Sequence, residues 1–580
     1  MKWVLDDPAR FLLERAQLDR LTKEVDWLSI AWKISPEMVV QVDIDLTVHG
    51  RTYAGQLIYP ELFPYAPPYI RPRDNAERWT QHQYGAGGSL CLQWRADNWQ
   101  THVSGADMVR SAYELLSTEQ HPSHPGVVPS AHRVTEGQMM RSENFRFVAT
   151  SELISSLMGL AENSRSTLKS LTILHLSAII TSISSITTSS SGVVEITDMP
   201  SGFARNIPLV TYPGLGLIFR SENFSARSKI SSAVELLETL STAGFETSDL
   251  WVREEATNKY IEKLVVILGS DIESIRIFEI GNDEQQVLRE FKIIHPSSTQ
   301  SRHPQEHQML SDVRIGIVGL GSIGSKVAVS LARSGARRFL LVDDDFLKPE
   351  NLARNELNWT TVGIHKVEAV REELSFIASG ISVDVRTSRV AGQESGLSNN
   401  ATLNDLATCD LLIDASANPE VFLNLAAIAK LNHKPLCWGE VFAGGYGGLI
   451  ARARPDLDPN PLVVRSSIYA YYSTLPTAPF QDAQGYDIDH EIPLMAYDSD
   501  VSLIAASLTR LALDTALSRN PSIFPYPAYL IGMAKEWDFE QPFDTRPIEA
   551  KGDGWENTAT PVNNLDQQVV LKSLFEMITQ

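Results

Sequence analysis

Two stretches of the sequence bring together residue types that do chemistry. The first is "GLGSIG", which supplies Gly319, Gly321 and Gly324 between the apolar run "VRIGIV" and the helical pattern "SKVAVSLARSG". Glycines at this spacing let the backbone approach a phosphate, and the amides of a helix start add donors and a partial positive charge. Asp343, in "LLVDDDF", stands where an acidic strand end is expected about twenty residues on. Then come "PENLARN" and "GIHK". Arg354 and Lys366 can clamp a triphosphate, Asn351 can orient it, and a carboxylate can hold Mg2+. A hydride-transfer enzyme has no use for that set; a nucleotidyl-transfer enzyme does.

The second stretch is "QYGAGGSLCLQW", residues 83–94. Cys91 lies at the end of its Gly-rich loop and is one of three cysteines in 580 residues. A thiol so placed is a candidate nucleophile. Cys409, in "LATCDLLID", and Cys437, in "KPLCWGEV", abut apolar runs and read as core residues.

These residues need elements to hold them. Residues 8–23 read as an amphipathic helix with Pro8 in its first turn. Three alternating runs, "DWLSIAWKI", "MVVQVDIDLTV" and "RTYAGQLIYP", read as an antiparallel meander. The five prolines of "PELFPYAPPYIRPRD" (60–74) exclude a helix or a central strand. Helical period returns over 104–118. Residues 145–295 read as mixed α/β, with Ser/Thr/Ile-rich strands and a helix in "SSAVELLETLSTAGF". From 312 the strand, glycine turn, helix, strand order reads as a doubly wound parallel sheet. The division is 1–142, 143–300 and 301–580.

The totals exclude other classes. A net charge of −21 repels phosphate backbones and anionic lipid, so nucleic-acid and membrane binding are not expected. There is no C-x-x-C pair to build a zinc ribbon or a disulfide framework. No secretory leader pattern and no membrane-spanning run is found. The expectation is a cytoplasmic, multidomain chain.

Residues 312–455 resemble the ThiF/MoeB and ubiquitin-activating adenylation domains. The matching motifs are "GLGSIG", "VDDD" with Asp343 and Asp345, "ENLARN" and "GIHK". The resemblance implies ATP and Mg2+ as cofactors and adenylation of a protein C-terminal carboxylate. "DLLIDASANPEV" is similar to the family's strand and loop bearing a metal-binding acid, which implies Asp414 as metal ligand and Asn418 as a further site residue. The aspartate of the family's "DN" pair is here Ala417. "GGYGGLIARARP" (444–455) resembles the segment leading toward the crossover loop, where glycines would admit an extended tail.

Residues 1–125 resemble a ubiquitin-conjugating fold, in which "GSLCL" is the context of the catalytic cysteine, here Cys91. The family's His-Pro-Asn is replaced by "TQHQYGAGG"; His82 remains, and Asn98 or Asp97 is a substitute donor. Ubiquitin-activating enzymes carry a cysteine of their own after the adenylation strands, yet none follows Cys437. Three readings stay open: a cysteine replaced at a site such as Ala550, direct attack by Cys91, or a displaced Cys437.

A conjugating-like and an activating-like part on one chain resemble the fused proteins of bacterial antiphage CBASS operons. That implies a homodimer with an inactive adenylation-like middle domain. It also implies a cGAS/DncV-like nucleotidyltransferase as the partner, whose tail is joined to target amines. The alternatives are sulfur-carrier adenylation of the ThiF/MoeB kind and a noncatalytic partner-binding scaffold.

Overall fold

A computed structural model describes residues 2–121, 128, 135–175, 178–188, 192–204, 211–224, 230–250, 263–281, 287–295, 305–479, 496–552, 554–556 and 564–578. The chain divides into two compact units, Met1–Arg141 and Ser142–Gln580.

In the first unit α1 (Lys2–Asp6) and α2 (Pro8–Glu24) precede β1 (Leu28–Ile34), β2 (Val40–Val48), β3 (Arg51–Ile58) and β4 (Tyr69–Pro72). The strands form an antiparallel meander in chain order. Asp7 starts α2 by accepting the Arg10 amide at 2.9 Å, with Pro8 in the first turn where its missing N–H costs nothing. On β2, Val42, Ile44 and Leu46 point to one face and are fully buried. The proline-dense stretch contributes only β4, an edge strand, as the missing N–H groups require.

Next come α3 (Gly105–Glu119), opened by a Ser104–Asp107 capping box, and the short α4 (Glu136–Met139). Glu14 clasps this unit from inside. It accepts from Tyr59 Oη at 2.8 Å and from the Gly105 amide at 2.7 Å, and pairs with Arg10 at 2.8 Å. A Cβ at Gly105 would stand 2.1 Å from Tyr59 Oη, so the helix start has to be glycine.

The second unit holds two eight-stranded sheets. The first is built from β5 (Phe145–Val148), β6 (Ser164–His175), β7 (Ala178–Thr188), β8 (Gly192–Glu195), β9 (Thr211–Arg220), β10 (Lys263–Leu268), β11 (Arg276–Ile280) and β12 (Leu288–Ile294). Helices α5 (Ser151–Met158), α6 (Ser201–Ala204) and α7 (Ala233–Thr242) lie between them in sequence. The order is β5-β12-β11-β10-β9-β6-β7-β8, and β5 also pairs with β7, which closes the run from β5 to β7 on itself. β9 and β10 pair in parallel with α7 between them in sequence, and β5 pairs in parallel with both β12 and β7.

The second sheet is open. Its elements are β13 (Arg314–Val318), α8 (Ser322–Arg333), β14 (Arg338–Val342), α9 (Lys366–Ser375), β15 (Ser382–Arg386), α10 (Gly396–Ala407), β16 (Leu411–Asp414), α11 (Pro419–Asn432), β17 (Leu436–Val441), β18 (Gly447–Ala453), α12 (Pro461–Ser473), α13 (Asp498–Ala516), β19 (Ala528–Gly532) and β20 (Thr545–Ile548), with α14 (Asn564–Ile578) after it. The order is β15-β14-β13-β16-β17-β18-β19-β20. The first five strands are parallel, as the sequence predicts, and β18 to β20 extend the sheet antiparallel.

One face packs on Val327 and Leu331 of α8, Val367 and Val370 of α9, and Ile504 and Leu508 of α13. The other packs on Leu406 of α10, Phe422 and Leu425 of α11, and Ile468 of α12. The chain runs from β13 outward to β14 on one side and returns to β16 on the other. The carboxyl ends of β13 and β16 therefore flank a topological switch point, where such sheets open a crevice.

Candidate nucleotide site and reactive cysteine

The glycine turn is set by sterics. Gly319 leaves β13 with φ +85°, and a Cβ there would meet the Ser416 backbone at 2.8 Å. A Cβ at Gly324 would fall 1.8 Å from the Gly319 carbonyl oxygen. Gly321 differs: it is the N-cap of α8 and has open space around its Cβ position. The outer glycines hold the turn against its neighbours. The middle one faces the space in front of the helix start, where an anion would sit.

Asp343 sits at the end of β14 and turns back on this loop. It accepts the Leu320 amide at 2.5 Å and the Asp345 amide at 2.9 Å. Burial pushes its carboxyl above the usual range despite both bonds. Asp345 is ion-paired with Lys366, the first residue of α9. Burial works against the Asp345 charge, but the Lys366 bond and charge outweigh it and hold the carboxyl below its ordinary value. Asn351 accepts the Lys348 amide at 3.0 Å and so orders its own turn, on which Arg354 is half-buried.

Asn355 was not singled out in the sequence. It is buried, and its amide nitrogen donates to the carbonyls of Leu320 (3.2 Å) and Gly321 (3.3 Å). It ties "ENLARN" to the glycine turn. The signal for it was a second asparagine, four residues after Asn351 in the same motif.

Asp414 ends β16 and is 4% exposed. Its Oδ1 accepts from the Ser416 amide (3.0 Å) and hydroxyl (2.6 Å), while burial pushes its carboxyl up to about 6. Asn418 accepts the amides of Glu420 (2.9 Å) and Val421 (3.1 Å), which makes it the N-cap of α11. Ala417 between them takes a left-handed φ of +52°, a conformation that suits Asp or Asn better. Asp414 and Asn418 line a small cleft with Trp438, Glu440, Arg465 and Tyr469.

Among the described residues no cluster of three or more His, Cys, Asp or Glu is placed to hold a metal by itself. Asp414 offers one buried carboxylate in a cleft. One carboxylate completed by nucleotide phosphates is a usual Mg2+ environment, so the residue fits that ion with a bound triphosphate. Of the glycines of 444–455, Gly447 and Gly448 serve close packing: a Cβ would meet Phe539 at 2.6 Å and Ile504 at 2.7 Å respectively, while Gly444, at φ +90°, has no close neighbour at its Cβ position.

The two core cysteines are inert by position. Cys409 and Cys437 are fully buried, and burial pushes both thiols up to about 12. Cys437 sits on β17 in register with Ile413 and Arg452, so the reading of a displaced Cys437 falls. Ala550 packs against the core on the α11 side of the sheet.

In the first unit Cys91 ends a short hairpin. Its amide donates to the His82 carbonyl at 2.7 Å, Gln83 bridges Leu90, and the Tyr84 amide donates to Ser89 at 3.0 Å. Gln83 and Leu90 are buried on one face. The alternation puts His82, Tyr84 and Cys91 on the other. His82 is engaged elsewhere, with Nε2 at 2.7 Å from the Val128 carbonyl and 3.6 Å from Glu119. Asn98 closes its own loop, accepting from the Arg95 amide and donating to the Gln93 carbonyl, each at 2.8 Å. Asp97 lies 3.9 Å from Arg95. On the Cys91 face Tyr84 Oη accepts from Arg95 Nη1 at 3.0 Å.

Comparison with known proteins agrees with the second sheet. Residues 298–461 match the ThiF family model. An ATP-dependent ubiquitin transferase-like protein Cap2 of Vibrio cholerae is 31% identical over 182 residues, 31% of this chain and 29% of its own length. An uncharacterized protein y4qC of Sinorhizobium fredii is 34% identical over 154 residues, 25% of each chain. Ubiquitin-like modifier-activating enzyme 5 of Caenorhabditis briggsae is 26% identical over 176 residues, 28% of this chain and 40% of that protein. The solved structure of Escherichia coli MccB with ATP is 17% identical over 42% of this chain and 67% of that one, with a TM-score of 0.32. The matched stretch spans about a quarter of the first of the curated relatives. The chain thus carries a ThiF family domain over residues 298–461 and is homologous, at about 30% identity, to Cap2 ATP-dependent ubiquitin transferase-like proteins.

Proposed function

We propose that this chain uses ATP to adenylate the C-terminal carboxylate of a protein, receives the acyl group on Cys91 as a thioester, and passes it to an amine. The observation that carries the reading is the joined site at the switch point. The glycine turn, Asp343, Asn355 and the Lys366–Asp345 pair meet at the carboxyl ends of β13 and β14, inside the ThiF match.

The α8 amides and the open face of Gly321 would take the phosphates, with Lys366 and Arg354 as cations beside them. Asp345 holds Lys366 in place until the nucleotide arrives. The substrate carboxylate attacks the α-phosphorus, and the bond to the β-phosphate breaks to release pyrophosphate. Mg2+, held by Asp414 and the phosphates, would supply charge neutralisation. The Cys91 thiolate then attacks the acyl carbon, and AMP leaves with the electron pair of the C–O bond. An amine nitrogen attacks the thioester, the C–S pair returns to Cys91, and the amine gives a proton to solvent.

The other two cysteines are in the core, so this reading has Cys91 attack the adenylate directly. The Cap2 relatives support ATP-dependent, ubiquitin-transferase-like chemistry; the same reading takes a cGAS/DncV-like nucleotidyltransferase as the acyl donor and a role in antiphage CBASS signalling. A cytoplasmic homodimer divided 1–142, 143–300 and 301–580 belongs to the same reading, with the first part ubiquitin-conjugating-like and the middle part adenylation-like. No helix among the described residues is long and apolar enough to cross a membrane.

The test is ATP–pyrophosphate exchange with a purified cGAS/DncV-like nucleotidyltransferase. Exchange that needs its free C-terminal carboxylate and is lost in Lys366→Ala supports the reading. No exchange above the level without the partner overturns it for this donor.

A further inference from the structure

We infer that the cleft beside Asp414 is where the carboxylate end of the acyl donor binds, with Arg465 as its counter-charge and the Tyr472 hydroxyl as its buried hydrogen-bond donor. The inference rests on the adenylation reading for its purpose. The ligand chemistry, a chain end bearing a free carboxylate, is read from the cleft itself.

The sheet sets the position. β16 stands between β13 and β17, so Asp414 at its carboxyl end has the glycine turn on one side and the cleft on the other. The cleft lies over Trp438 and Glu440 of β17, between α11 and α12. A nucleotide on the β13 side and a carboxylate on the β17 side would meet at Asp414. That is the juxtaposition an attack on the α-phosphorus needs.

Two groups in the cleft lack, among the described residues, the partner their chemistry calls for. Arg465 is the one cation among the described residues that line it. Its guanidinium is held from two sides: Cζ lies 4.4 Å from the centre of the Phe422 ring, and Nε and Nη2 donate to Tyr469 Oη at 3.2 and 3.0 Å. Ring and hydroxyl fix the fork but bring no negative charge, and a planar carboxylate is the partner that fits it. Asp414 and Glu440 line the cleft too, so without Arg465 a carboxylate would be repelled. Tyr472 is 5% exposed, and its Oη is buried with no hydrogen-bond partner among the described residues. A hydroxyl left so is costly to bury, and a ligand oxygen would relieve it. Burial, with the Glu440 charge, pushes this phenol far up, so it stays a donor. The walls are aromatic, with Trp438 edge-on to Phe422 at 5.1 Å and Tyr469 to Tyr472 at 6.1 Å. A charge pair formed against them is screened less than one in water.

N-acetylglycine, a minimal chain end, tests the site on the full chain with neither nucleotide nor protein donor. Titration by saturation-transfer NMR should show it binding, and N-acetylglycinamide, which lacks the charge, binding several-fold more weakly. Arg465→Gln should weaken N-acetylglycine about tenfold or more, the scale of a lost hydrogen bond to a charged group, and Arg465→Lys should recover part of it. Tyr472→Phe removes a hydroxyl with no partner in the described fold. It should melt no lower than the parent, yet bind N-acetylglycine several-fold more weakly. Equal binding of acid and amide, or binding indifferent to Arg465, overturns the inference. A Tyr472→Phe variant that melts lower and binds like the parent removes the hydroxyl from the site. In pyrophosphate exchange with the nucleotidyltransferase, Arg465→Gln should raise KM for that donor and leave KM for ATP unchanged. Carboxylate binding that needs Arg465, with no exchange, would keep the cleft assignment and sink the adenylation reading. Exchange with a donor KM indifferent to Arg465 would do the reverse.

Discussion

Asp343 accepts the backbone amide of Leu320 at 2.5 Å, which makes the end of β14 and the glycine turn one rigid piece. The glycines on either side of Leu320 and Gly321 are fixed by contact, while Gly321 is not. Gly324→Ala should therefore destabilise the protein by about 1–3 kcal/mol, the usual scale of overpacking, and abolish nucleotide binding. Gly321→Ala should cost less stability than Gly324→Ala, because open space surrounds its Cβ position. Thermal melting and Mg·ATP calorimetry on the two variants check the contrast; equal melting temperatures would refute it.

Lys366 is held by Asp345 at the start of α9, 8% exposed. Removing it leaves the triphosphate without its best-ordered cation. Lys366→Ala should lower pyrophosphate exchange by about 100-fold or more, on the scale of losing one preorganised charge. Lys366→Arg, which keeps the charge with different geometry, should recover part of it. Exchange at the parent rate in Lys366→Ala would remove this residue from the site.

Asp414 gives a pH dependence with a definite sign. Its carboxyl is pushed up to about 6 by burial, from an ordinary 3.8. Between those values the folded protein holds a proton that the unfolded chain has lost, so this group's contribution to stability falls as pH rises toward 6 and stays low above it. Asp414→Asn keeps the Ser416 bonds and removes the buried charge. It should melt no lower than the parent at pH 8 while losing adenylation. Exchange by the parent should rise with pH through about 6. A variant that melts several degrees lower at pH 8, or exchange flat across this range, would contradict the role.

Much of this site was legible in the sequence because local rules wrote it. The spacing of Gly319, Gly321 and Gly324, the acid ending the next strand, and Lys366 after a glycine all follow from backbone geometry and charge. The parallel strands β13 to β17 follow from apolar runs alternating with helices. What the sequence hid depends on long-range packing. Asn355 looks like any loop asparagine until its amide is seen on the carbonyls of Leu320 and Gly321. Asp343 was expected at the nucleotide site; its bonds to the Leu320 and Asp345 amides, which tie the glycine turn to the end of β14, had no local signal. Asn98 and Asp97 were the expected substitute donors to Cys91, yet Asn98 bonds the Arg95 amide and the Gln93 carbonyl and Asp97 lies against Arg95. The closure of the first sheet through β5 and β7 also left no local trace.

Cysteine usage supplies the most direct measurement. The chain, a cGAS/DncV-like nucleotidyltransferase and Mg·ATP are mixed and resolved on a nonreducing gel. The account expects an adduct that disappears with dithiothreitol, persists in the Cys409→Ser and Cys437→Ser variants, and is absent in Cys91→Ser. Pyrophosphate exchange with no thiol-labile adduct, or an adduct that survives in Cys91→Ser, would contradict the transfer of an activated acyl group to Cys91.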